Sequence, residues 1–164
     1  MINQEDVNKL RKSATNRFLF RLYLLFNLPM GFLSGMKIKQ LDDHKCVLTV
    51  PFKWLNKNPF KSTFWAVLGM AGEMNGAALI LQYTYKQNPS ISTLPIKCEA
   101  IFLKKATGIT TFTCEDSKMI KEKVEFALKS NEGVTIQTTS TGRNNNNEEV
   151  CQFKLTWSIK KRNK

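Results

Sequence analysis

The stretch that decides the fold is residues 61–85, which read KSTFWAVLGMAGEMNGAALILQYTY. It contains no proline, and its clearly polar interior positions are Glu73, Asn75 and Gln82. At about 1.5 Å per residue it would form a helix of roughly 37 Å that is apolar nearly all round, a pattern typical of a helix buried on most sides. A membrane span would have a similar length, but polar and ionisable groups near its middle are costly in lipid, so burial by protein is favoured.

Small residues in this stretch indicate what buries it. Ala66, Gly69, Gly72 and Gly76 recur every three or four residues and therefore share one face of the predicted helix. A glycine in a helix interior costs up to about 1 kcal/mol relative to alanine. The glycines therefore predict that another element approaches the helix backbone closely, as a curved sheet wrapped around the helix would.

The composition is that of one globular domain with a strong positive charge. The chain has 164 residues, of which 42% are hydrophobic and 23% charged, and its net charge is +12. At this length a single domain spanning residues 1–164 is expected. The surplus of basic residues indicates an acidic partner, such as nucleic acid, anionic lipid, a phosphate-bearing ligand or an acidic carrier protein. Charge alone does not choose among these.

The cysteines predict neither a metal centre nor a disulfide framework. Cys46, Cys98, Cys114 and Cys151 are scattered singly, no CxxC pair occurs, and the one histidine, His44, lies in a predicted turn. We therefore expect reduced, buried cysteines in a cytoplasmic protein that binds no metal and no cofactor. The polar start of the chain does not resemble a signal peptide. The motifs of serine hydrolases, zinc proteases and phosphate-binding loops do not occur in the sequence.

The first 27 residues are predicted to form a helical extension. One helix is expected over residues 3–26, because apolar residues follow three- and four-residue steps there; they are Val7, Leu10, Ala14, Phe18, Leu22 and Leu25. Basic residues lie off this stripe. Such a helix either docks against the domain, which is the favoured interpretation, or lies on an anionic membrane surface. Pro29, Gly31 and Gly35 then break the helix.

The rest of the chain is predicted to be strands with one short helix. Strands are expected at residues 36–41, 45–52, 94–106, 109–115, 134–141 and 151–160, and a helix is expected at about 117–130. Alternation predicts two inward faces, formed by Ile96, Cys98, Ala100 and Phe102 and by Cys151, Phe153, Leu155, Trp157 and Ile159. Residues 160–164 form a basic tail.

About six antiparallel strands and one long central helix make an α+β arrangement. A single helix cannot cover so wide a sheet. The sheet is therefore expected to curl around the helix, or to pair its edge with a second chain.

This order of elements resembles the hot-dog fold, and specifically a thioesterase-like family of uncharacterised function related to the phenylacetic-acid-pathway type of acyl-CoA thioesterases. The motifs that carry the resemblance are Leu28-Pro29, Gly35, Trp54-Leu55-Asn56, Asn58-Pro59, Ser62 and Ala71-Gly72-Glu73. The matching topology covers nearly the whole chain, and the sequence match is densest over residues 28–78. The resemblance implies a homodimer, with pairing of dimers into a tetramer left open. Its acyl-thioester sites would lie between subunits, near the start of one central helix and the flank of its partner.

The resemblance also implies the site residues. Ser62 is expected to cap the central helix, whose first N–H groups would polarise the thioester carbonyl, and Asn58, Thr63 and Asn75 would also bind substrate. Glu73 would be a buried general base or nucleophile. The alternative is that Glu73 is held by structural hydrogen bonds and that Asn58 and Ser62 only form a turn and a cap. The family's His-Gly-Gly motif, with an acid about two turns further along, reads Phe60-Lys61-Ser62 here, and Glu73 falls about a turn late.

Three functions are compatible with these features. The first is an acyl-thioester-handling enzyme, a hydrolase of acyl-CoA or acyl-carrier substrates. The second is a non-catalytic module that binds acyl or lipid ligands, which the missing histidine favours. The third is a basic protein that binds nucleic acid or a membrane surface, the latter through the N-terminal helix. This third function ranks last, because the charge is spread along the chain rather than placed in a recognised module.

Overall fold

Six antiparallel strands curve around one long helix in the computed structural model, which describes residues 2–130 and 132–162. The helices are α1 (Gln4–Thr15), α2 (Arg17–Asn27), α3 (Pro29–Ser34), α4 (Trp65–Thr84) and α5 (Ser117–Lys129). The strands are β1 (Lys37–Leu41), β2 (Cys46–Val50), β3 (Ile91–Phe102), β4 (Thr110–Cys114), β5 (Val134–Arg143) and β6 (Glu149–Lys161). The sheet order is β1-β2-β4-β5-β6-β3, so β1 and β3 are its edges. This confirms the predicted α+β arrangement.

The glycine face of α4 lies directly against the inner face of the sheet. A Cβ atom on Gly72 would lie 2.8 Å from Cδ2 of Phe153, and one on Gly76 would lie 2.7 Å from Oγ1 of Thr138. Both distances are shorter than a normal van der Waals contact, so nothing larger than glycine fits unless Phe153 or Thr138 moves. The close approach predicted from the glycine spacing is confirmed. Among the described residues, no helix has both the length and the apolar character needed to cross a bilayer.

The last strand and the short helix also match the sequence. The five residues of β6 predicted to face inward are all buried, as are Ile120, Val124 and Ala127 on α5. Lys160 and Lys161 of the predicted basic tail belong to β6, and Asn163 and Lys164 lie outside the described residues.

The single N-terminal helix predicted over residues 3–26 is instead two helices, followed by the short α3 where only a break was expected. Asn16 is extended, with φ −74° and ψ 117°, and its side chain caps α2 by accepting the N–H groups of Phe18 and Leu19. Because of this break, the residues that α2 buries are Phe20 and Leu24. Three residues of the predicted stripe are consequently exposed, namely Phe18, Leu22 and Leu25.

The β3 strand is an uncovered edge. Cys98, Ala100 and Phe102 share a face as predicted, but a bulge between Pro95 and Lys97 removes Ile96 from the alternation. The helix α4 packs under β2, β4, β5 and β6, so residues 94–102 are all exposed in a single copy of the chain. The expectation that every cysteine is buried is therefore wrong for Cys98, whereas the other three cysteines are buried and none forms a disulfide.

The side chain of Arg11 ties the N-terminal extension to the domain. Its guanidinium donates to both carboxylate oxygens of Asp43, at 2.8 and 3.1 Å, and to Oε1 of Gln82 at 2.7 Å. Gln82 is fully buried near the end of α4. The hydrogen bond from Arg11 lowers the pKa of the Asp43 carboxyl. One side chain thus joins α1, the turn between β1 and β2, and α4.

Replacing Arg11 by methionine should lower the free energy of unfolding by about 1–2 kcal/mol, because the buried Oε1 of Gln82 loses its donor. Urea unfolding at pH 7 measures the change. Since the pKa of Asp43 is lowered in the folded state, the ion pair stabilises above the unfolded pKa, and this contribution is lost as the pH falls below about 4. The difference between wild type and Arg11→Met should therefore shrink at pH 3. Lys9→Met, which removes an exposed pair with Glu5 on the same helix, should leave stability unchanged.

Candidate functional site

The loop that leads into α4 is closed by Asn58. Its Oδ1 accepts the N–H groups of Phe60 at 3.0 Å and Ser62 at 3.2 Å, and the Ser62 hydroxyl donates to the same atom at 3.3 Å. Lys61 adopts a left-handed conformation, with φ 59°, inside this turn. Because the closed turn is incompatible with helix, α4 begins at Trp65, four residues later than predicted. Ser62 is therefore not the N-cap, and the sequence-based prediction of its capping role is wrong.

Thr63 anchors the same loop to the segment that follows β3. Its N–H and its hydroxyl both donate to the carbonyl oxygen of Ala106, at 2.8 and 3.0 Å. The side chains of Asn58, Ser62 and Thr63 are thus all engaged within the protein. These side chains fix the backbone at the start of α4. Any ligand bound at that point would therefore contact backbone groups and not these three side chains.

The first N–H groups of α4 are open to a ligand. The N-cap residue, Phe64, makes no side-chain hydrogen bond to them. Within the described ranges, no acceptor lies at the N–H groups of Trp65 and Ala66. These groups carry the positive end of the helix dipole, which suits a carbonyl oxygen or an oxyanion. The rings of Phe64 and Trp65 are both exposed beside them, with centroids 5.9 Å apart.

Glu73 lies on the side of α4 that the sheet leaves uncovered. It is the one charged residue of this helix, and it is exposed, so the expected burial of Glu73 is wrong for a single copy. The pKa of the Cys98 thiol is raised by desolvation first and then by the nearby carboxylates of Glu73 and Glu99. The carboxylate of Glu73 therefore lies near Cys98 of β3. We use the name open face for Trp65, Ala66, Gly69, Met70 and Glu73 of α4 together with Cys98, Ala100 and Phe102 of β3.

Asn75 lies apart from these residues. Two positions after Glu73, it points about 200° round the helix axis, into the sheet. It is fully buried, and its Nδ2 donates to the carbonyl oxygens of Cys46 at 2.9 Å and Phe112 at 3.4 Å. In the part of the chain that is described, its Oδ1 has no partner. This arrangement joins α4 to β2 and β4, which is a structural role.

The observed start of α4 changes the spacing of the site. Glu73 is eight residues after Trp65, which is about two turns and about 12 Å along the axis. The predicted displacement of Glu73 by about a turn was counted from Phe60-Lys61-Ser62, so the later helix start does not remove it and it stays a prediction. A thioester carbonyl held at the helix start of one chain is too far from Glu73 of that chain to react with a water bound there.

Positive charge surrounds the loop before α4. Lys57, Lys61 and Lys105 are exposed there, and Nζ of Lys105 donates to the carbonyl oxygen of Phe60 at 3.3 Å. The preceding residue, Lys104, is instead paired with Glu148 and is not counted with these three lysines. These lysines form a basic rim close to the open N–H groups.

A separate groove of about 520 Å³ runs between α1, α2 and α4. Its apolar lining includes Leu10, Leu19, Phe20, Tyr23, Met74 and Ala78, and its polar lining includes Lys9, Lys12 and Lys86. None of the predicted site residues lines it. In residues 2–130 and 132–162, no cluster of three histidine, cysteine, aspartate or glutamate side chains could hold a metal ion.

Sequence reasoning predicted N–H donors at the start of the central helix but placed that start near Ser62, so it did not identify Trp65 and Ala66, and it did not predict that β3 is the exposed edge. Backbone donors have no residue-type signature, and their place depends on where the helix begins. The signal that could have indicated the uncovered state of β3 is a strand with large apolar residues on both faces, such as Ile96, Ile101 and Phe102.

Solved structures with the same architecture include thioesterase-like proteins. A Pseudomonas aeruginosa protein of unknown function described as a probable thioesterase has a TM-score of 0.75 and 15% identity, with 92% of this chain and 99% of that chain covered. A protein of unknown function from Chlorobaculum tepidum has a TM-score of 0.74 and 15% identity, with 98% of each chain covered. No family model and no curated protein matches the sequence. At these identities the likeness shows the fold, and the predicted hot-dog fold is confirmed.

A third similar protein is a Staphylococcus aureus thioesterase that was solved as two alanine variants. One variant replaces a glutamine and has a TM-score of 0.60 and 17% identity, with 80% of this chain and 98% of that chain covered. The other replaces a glutamate and has a TM-score of 0.63 and 16% identity, with 81% and 99% covered. The glutamate follows the glutamine by fifteen residues.

Proposed function

We propose that this chain is a thioester hydrolase that works as a homodimer, with acyl-CoA or acyl-carrier thioesters bound between two copies. The observation that carries the proposal is the position of Glu73. It is the one charged residue of α4, and it lies on an exposed, otherwise apolar face that begins at the open N–H groups of Trp65 and Ala66.

The geometry of one chain supports a site made by two. The separation of about 12 Å along α4 means that Glu73 and the N–H donors of one chain act on different thioesters. A second copy whose α4 runs antiparallel would place its Glu73 beside the helix start of the first. The uncovered β3 supports this arrangement, because long apolar edge strands are normally paired or covered. Its exposed large apolar residues are Leu94, Ile96, Ile101 and Phe102.

The proposed reaction uses few groups. The carboxylate of Glu73 takes a proton from a water molecule, whose oxygen attacks the thioester carbonyl, or it attacks that carbon itself and the resulting anhydride is hydrolysed. The N–H groups of Trp65 and Ala66 from the other copy hold the oxyanion. In the first route the sulfur receives the proton that Glu73 took from the water when the C–S bond breaks. In the second route the sulfur leaves as a thiolate, and the water that hydrolyses the anhydride supplies its proton. The products are a carboxylic acid and a free thiol.

Two further features support the proposal. Asn58 precedes Glu73 by fifteen residues, the spacing of the amide and carboxylate residues that were replaced in the Staphylococcus aureus thioesterase. The basic rim formed by Lys57, Lys61 and Lys105 suits the phosphates of CoA or an acidic carrier protein.

The direct test is an assay of acyl-CoA esters of increasing chain length, with release of free thiol as the readout. The proposal expects turnover of at least one chain length. Absence of turnover on all of them, and on acyl-carrier thioesters, by a correctly folded dimer would reject a hydrolase.

A non-catalytic acyl-binding module is the second candidate. The observation that favours it is that the side chains of Asn58, Ser62 and Thr63 are all engaged within the protein, by the loop itself and by Ala106. Glu73 is then the one side chain of the open face that could act as a base. A module of this kind would show a thermal shift with acyl-CoA, or would retain an acyl ligand in native mass spectrometry, without releasing thiol.

Replacing Ala100 by glutamate should convert the dimer into a monomer of 18.8 kDa. Ala100 lies on the exposed inner face of β3, where a second copy would bury the new charge without a partner. Light scattering measures the mass. Labelling of the native protein with a thiol reagent should also become faster, because Cys98 is no longer covered by a second copy, and the signal reports on Cys98 because the other cysteines are buried. Thr135→Glu, at an exposed position of β5, is the control and should remain dimeric. If wild type is already monomeric, the shared site is wrong.

A further inference from the structure

The outward side of α2 is apolar and uncovered. We use the name outer face for Phe18, Leu19, Leu22, Leu25 and Phe26, all of which are exposed. Phe18 is 74% exposed and Phe26 75%. Single exposed apolar residues are common on protein surfaces, but a contiguous apolar patch such as this one marks an interaction site. The surface continues onto α3 through Met30 and Leu33, which are 61% and 46% exposed.

Packing within the chain does not account for this face. Phe20 and Leu24 are the residues by which α2 is buried, and Leu22 lies about 200° round the axis from Phe20. A helix that only docks against the domain would carry polar residues on that far side. Both sides of α2 are apolar instead, so we infer that something other than this chain covers the outer face.

The charge beside the outer face is mainly positive. Residues 7–41 contain seven lysines and arginines and no aspartate or glutamate, although Lys9 pairs with Glu5 and Arg11 with Asp43. Lys12 and Arg17 are exposed at the junction of α1 and α2, and Arg21 lies over the ring of Phe32 at 4.4 Å. An apolar helix face with basic residues at its margin has the pattern of helices that lie in the interface of an anionic bilayer.

We propose that the outer face of α2 rests on an anionic lipid surface, with Phe18 and Phe26 inserted among the acyl chains and Lys12 and Arg17 at the headgroups. A second copy fits this face poorly, because two outer faces would bring Lys12 and Arg17 of both copies close together. In the dimer proposed above, the second copy lies at β3, the sheet edge opposite to β1, and α2 packs against β1. This inference does not depend on hydrolysis.

The groove beside the outer face supports a lipid occupant. Leu19 belongs both to the outer face and to the lining of the groove of about 520 Å³, and three lysines, Lys9, Lys12 and Lys86, lie at the same groove with one acidic residue, Asp6. An apolar concavity with lysines, next to an apolar surface, suits the lipid phase better than a folded polar partner.

The test is co-sedimentation of the full chain with phosphatidylcholine vesicles and with vesicles of equal parts phosphatidylcholine and phosphatidylglycerol. Wild type should bind the anionic vesicles and lose most of this binding at high salt. Phe18→Ser/Phe26→Ser should reduce the bound fraction about tenfold or more, because the inserted apolar area is lost. Phe126→Ser, at a position 51% exposed on α5, is the apolar control and should bind as wild type does.

Charge is tested separately. Lys12→Glu/Arg17→Glu should abolish binding to the anionic vesicles, whereas Lys118→Glu/Lys123→Glu, with the same change in net charge on α5, should retain it. Thermal melts should be unchanged for all four variants, because each replaced residue is exposed. The inference is overturned if wild type does not bind, if Phe18→Ser/Phe26→Ser binds as well as wild type, or if that variant lowers the mass in solution. The last result would make the outer face a contact between copies.

Discussion

Replacing Glu73 by glutamine should lower kcat for thioester hydrolysis by about 100-fold or more, because glutamine can neither accept a proton nor attack the carbonyl. Glu73 is exposed in a single copy, so the fold of each chain should be unaffected, and glutamine keeps the shape of the side chain between copies. Thermal melts check the fold, and light scattering checks the dimer. Glu122→Gln removes an exposed carboxylate from α5 with the same change in charge and should leave kcat unchanged. Equal activity of Glu73→Gln and wild type would remove Glu73 from the chemistry.

Mixed dimers test whether the site is shared. Trp65 is the first residue of α4, where proline is tolerated, so Trp65→Pro removes one oxyanion donor without breaking the helix. Trp65→Ala separates loss of the ring from loss of the N–H group. If Glu73 acts on a thioester held by the other copy, Glu73→Gln and Trp65→Pro chains mixed and reassociated form one intact site in each mixed dimer. Activity should then return to about a quarter of wild type, since random association makes half of the dimers mixed. No recovery would mean that both groups act within one chain.

The sequence predicted best what depends on repeating local patterns. The glycines of α4 and the alternation along β6 each repeat a spacing that only one packing satisfies, so the helix wrapped in a sheet could be predicted. The start of α4 could not, because it depends on hydrogen bonds that Asn58 makes to residues two and four positions later. The break at Asn16 was hidden by apolar residues that continue the same spacing across it.

The site was predictable in part for a related reason. Glu73 is conspicuous as the single charge in an apolar helix, and this is visible in the sequence alone. The donors at Trp65 and Ala66 are backbone groups and leave no mark on residue type. Whether Cys98 is covered depends on what lies against β3, which is a property of the assembly and not of any local pattern. The open face therefore emerged only when helix, strand and loop were placed together.

Replacing Gly76 by alanine should strongly destabilise the core. The new Cβ would lie 2.7 Å from Oγ1 and 3.2 Å from Cβ of Thr138. Oγ1 of Thr138 accepts the indole N–H of Trp157 at 2.9 Å, and both side chains are buried. Moving Thr138 therefore strains the packing and breaks a buried hydrogen bond. The expected loss is about 3 kcal/mol in the free energy of unfolding, despite the higher helix propensity of alanine.

Gly69→Ala is the matched control for this close approach. Gly69 lies on the same helix, but a Cβ there would meet Cε1 of Phe153 at 3.4 Å, an ordinary contact distance. The gain in helix propensity should then dominate, and this variant should be as stable as wild type or more stable by up to about 1 kcal/mol. Urea unfolding at equal protein concentrations compares the two variants. A similar loss of stability at both positions would mean that the effect comes from replacing any glycine of α4 and not from the contact with Thr138. Opposite signs would locate the constraint at Thr138, where β5 crosses the helix most closely.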